Sequence, residues 1–318
     1  MEEKRIKNIS VVKDIVDKIK FEIRKRIVGN EENIDLILTT LFAGGHVLLE
    51  GVPGIAKSYL ASTIAEVLGF NYKRIQFVPD LLPADILGSS IFNPQKQEFV
   101  FIEGPIFSNI ILCDEINRAP PKTQAALLEA MQEQQASIEG TTHSLPQPLF
   151  VMATQNPIEQ IGVYRLPEAQ VDRFMIKLNM SLPGYKNEVE LLRSKRLKLT
   201  PAINIVTNRD EIVEIKNIVE KIEISDIVLD YIARLVVQTR FIPSLSLGAS
   251  PRASIALMMM GRARAAMVGR DYVEPDDIKQ LFYHVINHRL ILTPQAEIEQ
   301  IPINQIIENV IENTPISI

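Results

Sequence analysis

Residues 51–58 have the residue types and spacing of a phosphate-binding loop. They read Gly-Val-Pro-Gly-Ile-Ala-Lys-Ser, follow the apolar run 46–50 and open a helix-like segment, 59–68. Glycines let successive backbone N–H groups and a helix N-terminus face phosphate oxygens, while Lys57 reaches the same oxygens and the Ser58 hydroxyl is placed for Mg²⁺. Ala56 stands where the usual pattern has a second glycine, although Gly54 supplies a flexible position two residues earlier. A simple glycine turn between a strand and a helix is the alternative.

A second apolar run, residues 109–113, ends in two adjacent carboxylates, Asp114 and Glu115. Alternation along a strand sends neighbouring side chains to opposite sides. Asp114 can therefore hold Mg²⁺ while Glu115 faces the γ-phosphate and orients or deprotonates a water molecule. A buried parallel strand explains the apolar run without any function. It does not explain two carboxylates at the strand tip, downstream of a phosphate loop.

Three further polar residues are candidates for the same chemistry. Asn156 follows the apolar strand 149–154 and can bind the attacking water, although Asn-Pro is also a common turn. Arg173 either pairs with Asp172 at the surface or projects into the site of a neighbouring subunit as an arginine finger. Arg252 begins a predicted helix, from which its guanidinium could swing over the nucleotide from the lid side.

The composition narrows the class of protein. The 318 residues are 46% hydrophobic, enough for one large α/β domain and one smaller domain. The net charge of −5 argues against nucleic-acid binding, and the basic cluster at 193–198 is more typical of a solvated helix face. The single cysteine, Cys113, suits a reducing compartment. Because no signal peptide begins the chain and no apolar run approaches a membrane span, we expect a cytoplasmic protein without membrane insertion.

The elements that must position the candidate residues alternate between strands and helices as far as residue 184. Apolar residues at helical spacing predict an amphipathic N-terminal helix; they are Val12, Ile15, Val16, Ile19 and Ile23. The turn at 27–31 either lines an adenine pocket or simply connects two helices. Residues 80–108, with a turn at 93–96, predict an insertion in the nucleotide domain. Residues 136–146 predict a hairpin that turns at Glu139 and Gly140.

Beyond residue 184 the alternation stops and helical segments take over. Ser250 can cap a helix that has Pro251 at its first position and Gly269 at its end, and Asp276 and Asp277 begin the next helix. The prediction is an α/β fold of the P-loop type with a parallel-sheet core, residues 1–184. A smaller all-α lid domain follows, residues 185–318.

Five motifs, in this order, resemble those of the MoxR family of AAA+ ATPases: residues 51–58, 114–124, 153–157, 168–174 and 249–253. The resemblance covers nearly the whole chain, and in that family alanine at the position of Ala56 is normal. It implies Walker A at 51–58, Walker B at Asp114 and Glu115, sensor 1 at Asn156, an arginine finger at Arg173 and sensor 2 at Arg252. It also implies that 80–108 is the helix-2 insert and 136–146 the pre-sensor-1 hairpin.

The resemblance further implies ATP and Mg²⁺ as ligands, and a ring of six subunits that remodels partner proteins. Such work includes maturation or metal-cofactor insertion, often beside von Willebrand factor A domain proteins. Two alternatives stay open: a related motor, such as a chelatase subunit or a DNA helicase, and a nucleotide-gated scaffold without useful turnover. The acidic composition argues against the helicase, and Glu115 with Arg173 argues against the scaffold. The predicted site residues are Glu115, Asn156, Arg173 and Arg252 for catalysis, Ser58 and Asp114 for Mg²⁺, and Val28, Gly29, Gly51, Val52, Pro53, Gly54, Ile55, Ala56, Lys57, Ser58 and Tyr59 for the nucleotide.

Overall fold

The structure is a computed structural model that describes residues 9–52, 54–156, 164–196 and 201–316, apart from the side chains of residues 194 and 195. The strands are β1 Val47–Glu50, β2 Tyr72–Gln76, β3 Gly88–Asn93, β4 Glu98–Glu103, β5 Ile110–Asp114, β6 Gln135–Ile138, β7 Thr141–Ser144, β8 Phe150–Gln155, β9 Ile176–Asn179, β10 Leu245–Leu247 and β11 Ile291–Leu292. The helices are α1 Ile9–Arg24, α2 Glu31–Phe42, α3 Lys57–Leu68, α4 Pro83–Leu87, α5 Pro121–Glu133, α6 Glu168–Val171, α7 Tyr185–Arg196, α8 Arg209–Glu220, α9 Asp226–Gln238, α10 Pro251–Val268, α11 Pro275–Ile286, α12 Pro294–Ile298 and α13 Ile303–Glu312.

Five parallel strands form the central sheet in the order β2-β5-β8-β1-β9. Val47 of β1 lies opposite Met152 of β8 on one side and opposite Ile176 of β9 on the other. Side chains of β1 alternate between two cores: Val47 and Leu49 face the one that holds α1, α2 and α3, while Leu48 faces the one that holds α5. Because all five strands run in the same direction, their carboxyl ends meet at one edge, where α/β proteins bind ligands.

The N-terminal helix predicted from apolar spacing is present as α1, and Val12, Val16, Ile19 and Ile23 are fully buried. The predicted insertion consists of α4 and the antiparallel hairpin β3–β4, which pairs from Gly88 with Glu103 to Asn93 with Glu98. These two observations confirm the expected elements on either side of the loop helix.

The second predicted hairpin is β6–β7, and it turns where the sequence indicated. Glu139 has φ 50° and Gly140 has φ 82°. Two successive residues with positive φ are the requirement of the tight turn that matches the twist of the flanking strands. The helix before this hairpin, α5, ends at Glu133, and β6 begins two residues later at Gln135.

The C-terminal part is a helical lid built around α10. Ser250 caps this helix by accepting a hydrogen bond from the backbone N–H of Arg252, and Gly269, at φ 83°, ends it. The expected fold class, an α/β parallel-sheet core with a helical lid, is confirmed. The lid also contains a two-stranded antiparallel ribbon, β10–β11, that the all-α expectation missed. Its strands are only three and two residues long, too short for a recognisable alternation.

One hydrophobic core continues from the sheet into the lid. Ile37 and Leu41 of α2 belong to the same buried cluster as Leu257 and Met260 of α10. The lid is therefore packed firmly on one face of the nucleotide domain. Within the described ranges, no helix is both long enough and apolar enough to cross a membrane.

Candidate functional site

The predicted phosphate loop connects β1 to α3 and has the backbone conformation that its sequence suggests. Gly54 has φ 88° and Ala56 has φ 62°, both in the left-handed region. For alanine this conformation costs about 1–2 kcal/mol, so the loop carries local strain at the position where a second glycine is usual. Lys57 is the first residue of α3, and its Nζ donates to the carbonyl oxygen of Gly51 at 2.7 Å. Pro53 lies outside the described residues.

A cavity of about 470 Å³ adjoins this loop. Its size is in the range of small-molecule sites. Val28, from the turn before α2, lines the cavity together with Gly54, Ile55, Ala56 and Tyr59. The predicted turn and the predicted loop are thus brought together, whereas Gly29 does not line this cavity. That the turn at 27–31 lines an adenine pocket, and that the loop binds phosphate, stays a prediction.

Asp114 ends β5 and is held from both neighbouring strands. Its Oδ1 accepts a hydrogen bond from Thr154 Oγ1 at 2.6 Å, and its Oδ2 accepts one from Arg74 Nη2 at 2.6 Å. Arg74 places a cation on the carboxylate that the sequence analysis assigns to Mg²⁺. The carboxylate of Asp114 and the hydroxyl of Ser58 are oxygen donors of the kind that Mg²⁺ prefers, so these residues fit the ion.

Glu115 does not continue the strand. Its φ of 57° and ψ of 50° turn the chain away, so the alternation expected for two strand residues does not set the direction of its side chain. The Glu115 carboxylate accepts hydrogen bonds from Gln76 Nε2 and from Arg118 Nη1, both at 2.9 Å. Its backbone N–H donates to Thr154 Oγ1 at 2.8 Å. One threonine hydroxyl therefore fixes both acidic residues.

The loop and the acidic residues form one electrostatic unit. Burial lowers the pKa of Lys57, and the negative charges of Asp114 and Glu115 raise it in part. The backbone N–H of Gly51 donates to the carbonyl oxygen of Gln155 at 3.3 Å, which places the start of the loop beside the end of β8. Asn156 follows directly and is buried. The carboxyl edge of the sheet thus brings together four of the predicted features: the loop, Asp114, Glu115 and Asn156.

Three residues of this site were missed by the sequence analysis: Arg74, Gln76 and Thr154. Gln76 lies opposite Asp114 in the pairing of β2 with β5, and Thr154 lies on β8, which pairs with the other side of β5. A sequence shows that each strand exists but not which strands are neighbours. A polar residue at the end of an apolar strand is the only signal that was available.

Arg173 and Arg252 lie at the opposite end of the molecule's central sheet. Because Ile176 pairs with Val47, Arg173 is at the amino end of the parallel strands, level with Gly44, whereas the loop follows their carboxyl end. The seven steps along the chain from Gly44 to Gly51 span about 20 Å at the rise of a strand. Arg173 therefore does not reach the phosphate loop of its own subunit.

Arg252 lies beside the same cleft as Arg173. Both side chains line a cleft of about 280 Å³ that also includes His46 and Gln134, and Arg252 does not line the cavity beside the loop. The structure thus places Arg252 away from the cavity beside the loop, and the expectation that its guanidinium swings over the nucleotide from the lid side stays a prediction. The helix start was predicted correctly, but the side of the core against which the lid packs was not available from the sequence.

The alternative that Arg173 forms a local ion pair with Asp172 is wrong. Asp172 accepts instead from Arg289 Nε at 2.7 Å and from Ser250 Oγ at 3.0 Å. The Nε atom of Arg173 is buried without a hydrogen-bond partner, and the residue forms no ion pair within the described part of the chain. Among the described residues, its guanidinium is thus not committed to an ion-pair partner.

Comparisons with known proteins agree with this geometry. Residues 46–176 match the model of the ATPase family associated with various cellular activities, and residues 237–310 match the AAA lid domain. The fold and the loop define the class: an AAA+ nucleotide-binding ATPase. Among similar proteins, Chaperone MoxR1 of Mycobacterium tuberculosis is 42% identical, with 92% of this chain and 80% of the relative aligned. The chain belongs to the MoxR family of AAA+ ATPases.

Two further similar proteins extend over almost the full chain. The uncharacterized protein YeaC of Bacillus subtilis is 44% identical, with 91% of this chain and 90% of the relative aligned. A crystal structure of a protein from Cytophaga hutchinsonii, assigned as an ATPase, is 41% identical, with a TM-score of 0.92 and coverage of 98% of this chain and 97% of that chain. At this identity the architecture of core and lid is shared over the whole length.

Proposed function

We propose that this protein hydrolyses ATP at the carboxyl edge of its sheet, as a ring in which each subunit completes the site of the next, and that the cycle remodels partner proteins. The observation that carries the proposal is the separation of the site into two ends of one subunit. The loop and the carboxylates lie at one end, and the two arginines lie at the other. A ring of identical head-to-tail interfaces brings such ends together.

At the carboxyl edge, each residue has a distinct role in the proposal. Backbone N–H groups of residues 51–58 and the ammonium of Lys57 hold the β- and γ-phosphates. Ser58 and Asp114 hold Mg²⁺, which when bound neutralises charge on the phosphate oxygens. Glu115 accepts a proton from the attacking water, and Asn156 orients that water.

The arginines act from the neighbouring subunit. An arginine supplied across a boundary neutralises charge that develops on the transferring phosphoryl group. The Arg173 guanidinium suits this role because no carboxylate of its own subunit pairs with it in the described ranges. Arg252, on the same cleft, lies 3.7 Å from Asp172 and supplies a second positive charge at the same boundary.

In the proposal, the insertion at residues 80–108 binds the partner proteins. Phe99 is 72% exposed on the hairpin β3–β4, and Ile91, Phe92 and Ile102 are each at least half exposed. Exposed apolar groups of this size mark interaction sites in soluble proteins. The name of one relative, Chaperone MoxR1 of Mycobacterium tuberculosis, supports client remodelling. A ring of six subunits, a cytoplasmic location and von Willebrand factor A domain clients remain part of the proposal, as does a domain boundary near residue 184.

Lys57→Ala tests the nucleotide site itself. Loss of a charged hydrogen-bond donor to phosphate typically costs 1.5–3 kcal/mol, so we expect ATP affinity to fall by about 10- to 100-fold. Binding of a fluorescent ATP analogue measures this directly. Lys221→Ala, an exposed lysine in the lid, is the matched control and should bind as the wild type does. An affinity of Lys57→Ala within twofold of the wild type would refute the assignment of the loop.

Phe92→Ser with Phe99→Ser tests the role of the insertion. These rings contact each other, 5.5 Å between centroids, on a hairpin that leaves the sheet, so ATP binding and basal hydrolysis should stay within about twofold of the wild type. Suppression of the aggregation of chemically denatured luciferase should be lost. Ile298→Ser, 82% exposed on the lid, is the control for removal of an apolar side chain. Full suppression by the double variant would make the hairpin a surface elaboration, and lost nucleotide binding would make it part of the site.

A further inference from the structure

Asp172, the residue immediately before Arg173, is bound by the lid of its own subunit. Its Oδ1 accepts a hydrogen bond from Arg289 Nε at 2.7 Å. Its Oδ2 accepts one from Ser250 Oγ at 3.0 Å and lies 3.7 Å from Arg252 Nη1. One carboxylate of the nucleotide domain thus connects the start of α10 and the chain after α11 to the segment that carries the proposed arginine finger.

Arg289 also binds the backbone on both sides of Arg173. Its side chain is 3% exposed. Its Nη2 donates to the carbonyl oxygens of Phe174, at 2.8 Å, and Asp172, at 3.3 Å, while its Nη1 donates to that of Met175 at 3.1 Å. Burial lowers the pKa of Arg289, and the hydrogen bond to Asp172 raises it. A buried guanidinium with this many partners fixes the local backbone, because each bond it makes would be lost without replacement by water.

Two further lid residues bind the chain that leads into β9 and β9 itself. His288 Nε2 donates to the carbonyl oxygen of Phe174 at 3.0 Å, and Asn287 Nδ2 donates to that of Lys177 at 3.2 Å. Burial and the charge of Arg289 lower the pKa of His288 well below its ordinary value, so the ring is neutral and has one N–H to donate. Three consecutive lid residues therefore bind residues 172–177, the segment that leads into the edge strand β9 and the start of that strand, which pairs with β1.

We propose that Asp172 and Arg289 are positioning residues that join the arginine finger to the lid of its own subunit, so that Arg173 and Arg252 move as one unit against the neighbouring nucleotide. The inference rests on the proposed function, in which Arg173 acts on ATP bound by the adjacent subunit. The link between lid and arginine finger acts in one direction around the ring. Any displacement of the lid in one subunit changes hydrolysis in the next subunit, rather than in its own.

Two shape-conserving variants test the role. Asp172→Asn keeps an acceptor for Arg289 but removes the charge, and Arg289→Lys keeps the charge but removes the bonds to Phe174 and Met175. A misplacement of about 1 Å in a catalytic group costs on the order of 10²-fold, so kcat should fall by about that factor while the dissociation constant of ATP changes by less than about twofold. Steady-state phosphate release and binding of a fluorescent ATP analogue measure the two quantities.

Asp277→Asn is the matched control. Asp277 is a buried lid carboxylate that pairs with Arg270 at 2.7 Å and does not touch the segment 172–177. The Asp277→Asn variant should lose stability in the same way as Asp172→Asn but keep the wild-type kcat. An equal loss of kcat in Asp277→Asn would show that any weakening of the lid suffices, which would overturn the specific role of Asp172.

Mixing separates a misplaced finger from a damaged subunit. Lys57→Ala has an intact finger but an inactive site, and each positioning variant keeps an intact site. Mixed rings of Lys57→Ala with Asp172→Asn, or with Arg289→Lys, should therefore recover activity. Absence of recovery with both variants, although co-assembly is verified, would overturn the inference, as would wild-type turnover of both variants alone. The proposed function fails separately, if Arg173→Ala itself hydrolyses ATP normally.

Discussion

Arg173→Ala is expected to bind ATP as the wild type does but to hydrolyse it about 10³- to 10⁵-fold more slowly, the usual contribution of an arginine finger. Binding is preserved because the side chain is at the amino end of the strands, whereas the phosphate loop follows their carboxyl end. Hydrolysis is lost because Arg252, the second positive charge at this boundary, lies 3.7 Å from Asp172 and does not take the place of the Arg173 guanidinium on the transferring phosphoryl group. Phosphate release under saturating ATP measures the effect.

The control for this variant is Arg209→Ala, an exposed arginine at the first position of α8. This change also removes an arginine side chain, but from the lid and away from the cleft that Arg173 lines. The variant should therefore hydrolyse ATP at the wild-type rate. Turnover of Arg173→Ala close to that of the control would make Arg173 a structural residue. Its Nε is buried without a hydrogen-bond partner among the described residues, and such a result would leave that burial without an explanation.

Glu115→Gln should lower turnover by about 10²- to 10⁴-fold, the contribution of a general base, and leave the affinity for ATP and Mg²⁺ unchanged. Lys57, Ser58 and Asp114 are untouched by this change. The glutamine keeps an oxygen that can accept from Gln76, so the local geometry is retained while the proton acceptor is lost.

Phosphate release and ATP-analogue binding, measured on protein free of contaminating ATPases, check both halves of the Glu115→Gln prediction. Glu129→Gln, an exposed position on α5, is the control for the same chemical change. Comparable turnover in Glu115→Gln and the control would remove Glu115 from the mechanism.

Local patterns predicted the elements well, because their causes lie within a few residues. The spacing of Val12, Val16, Ile19 and Ile23 specifies one buried face of a helix, and these residues are fully buried in α1. Ser250 and Gly269 mark the ends of α10 through backbone hydrogen bonds that involve only neighbouring residues. The hairpin turn at Glu139 and Gly140 follows from the two positive φ values that this turn type requires.

The features that were missed depend on groups far apart in the chain. Arg74 and Thr154 meet Asp114 only because β2 and β8 flank β5 in the sheet. A pair between Asp172 and its neighbour Arg173 was one of two alternatives, but Arg289, 117 residues later, binds Asp172 instead. Competition for a carboxylate is decided by burial and hydrogen-bond geometry, and neither is visible in the linear sequence.

The position of Arg252 was missed for a related reason. Its helix and cap were predicted from local signals, but the lid docks on the sheet through a core shared by α2 and α10. That docking places Arg252 beside Arg173 in one cleft, rather than above the loop of the same subunit. The proposal that Arg252 acts on the nucleotide of a neighbouring subunit rests on this packing.

The most direct test of a site shared between subunits is the ATPase rate of rings assembled from Arg173→Ala and Lys57→Ala protein. Each variant alone is expected to be inactive, one for lack of a finger and the other for lack of a working loop. With random mixing at equal proportions around a ring of head-to-tail interfaces, about one interface in four has an intact loop facing an intact finger. The account predicts that activity returns on mixing, to a fraction of the wild-type rate. No recovery, in rings whose co-assembly is verified, would contradict it.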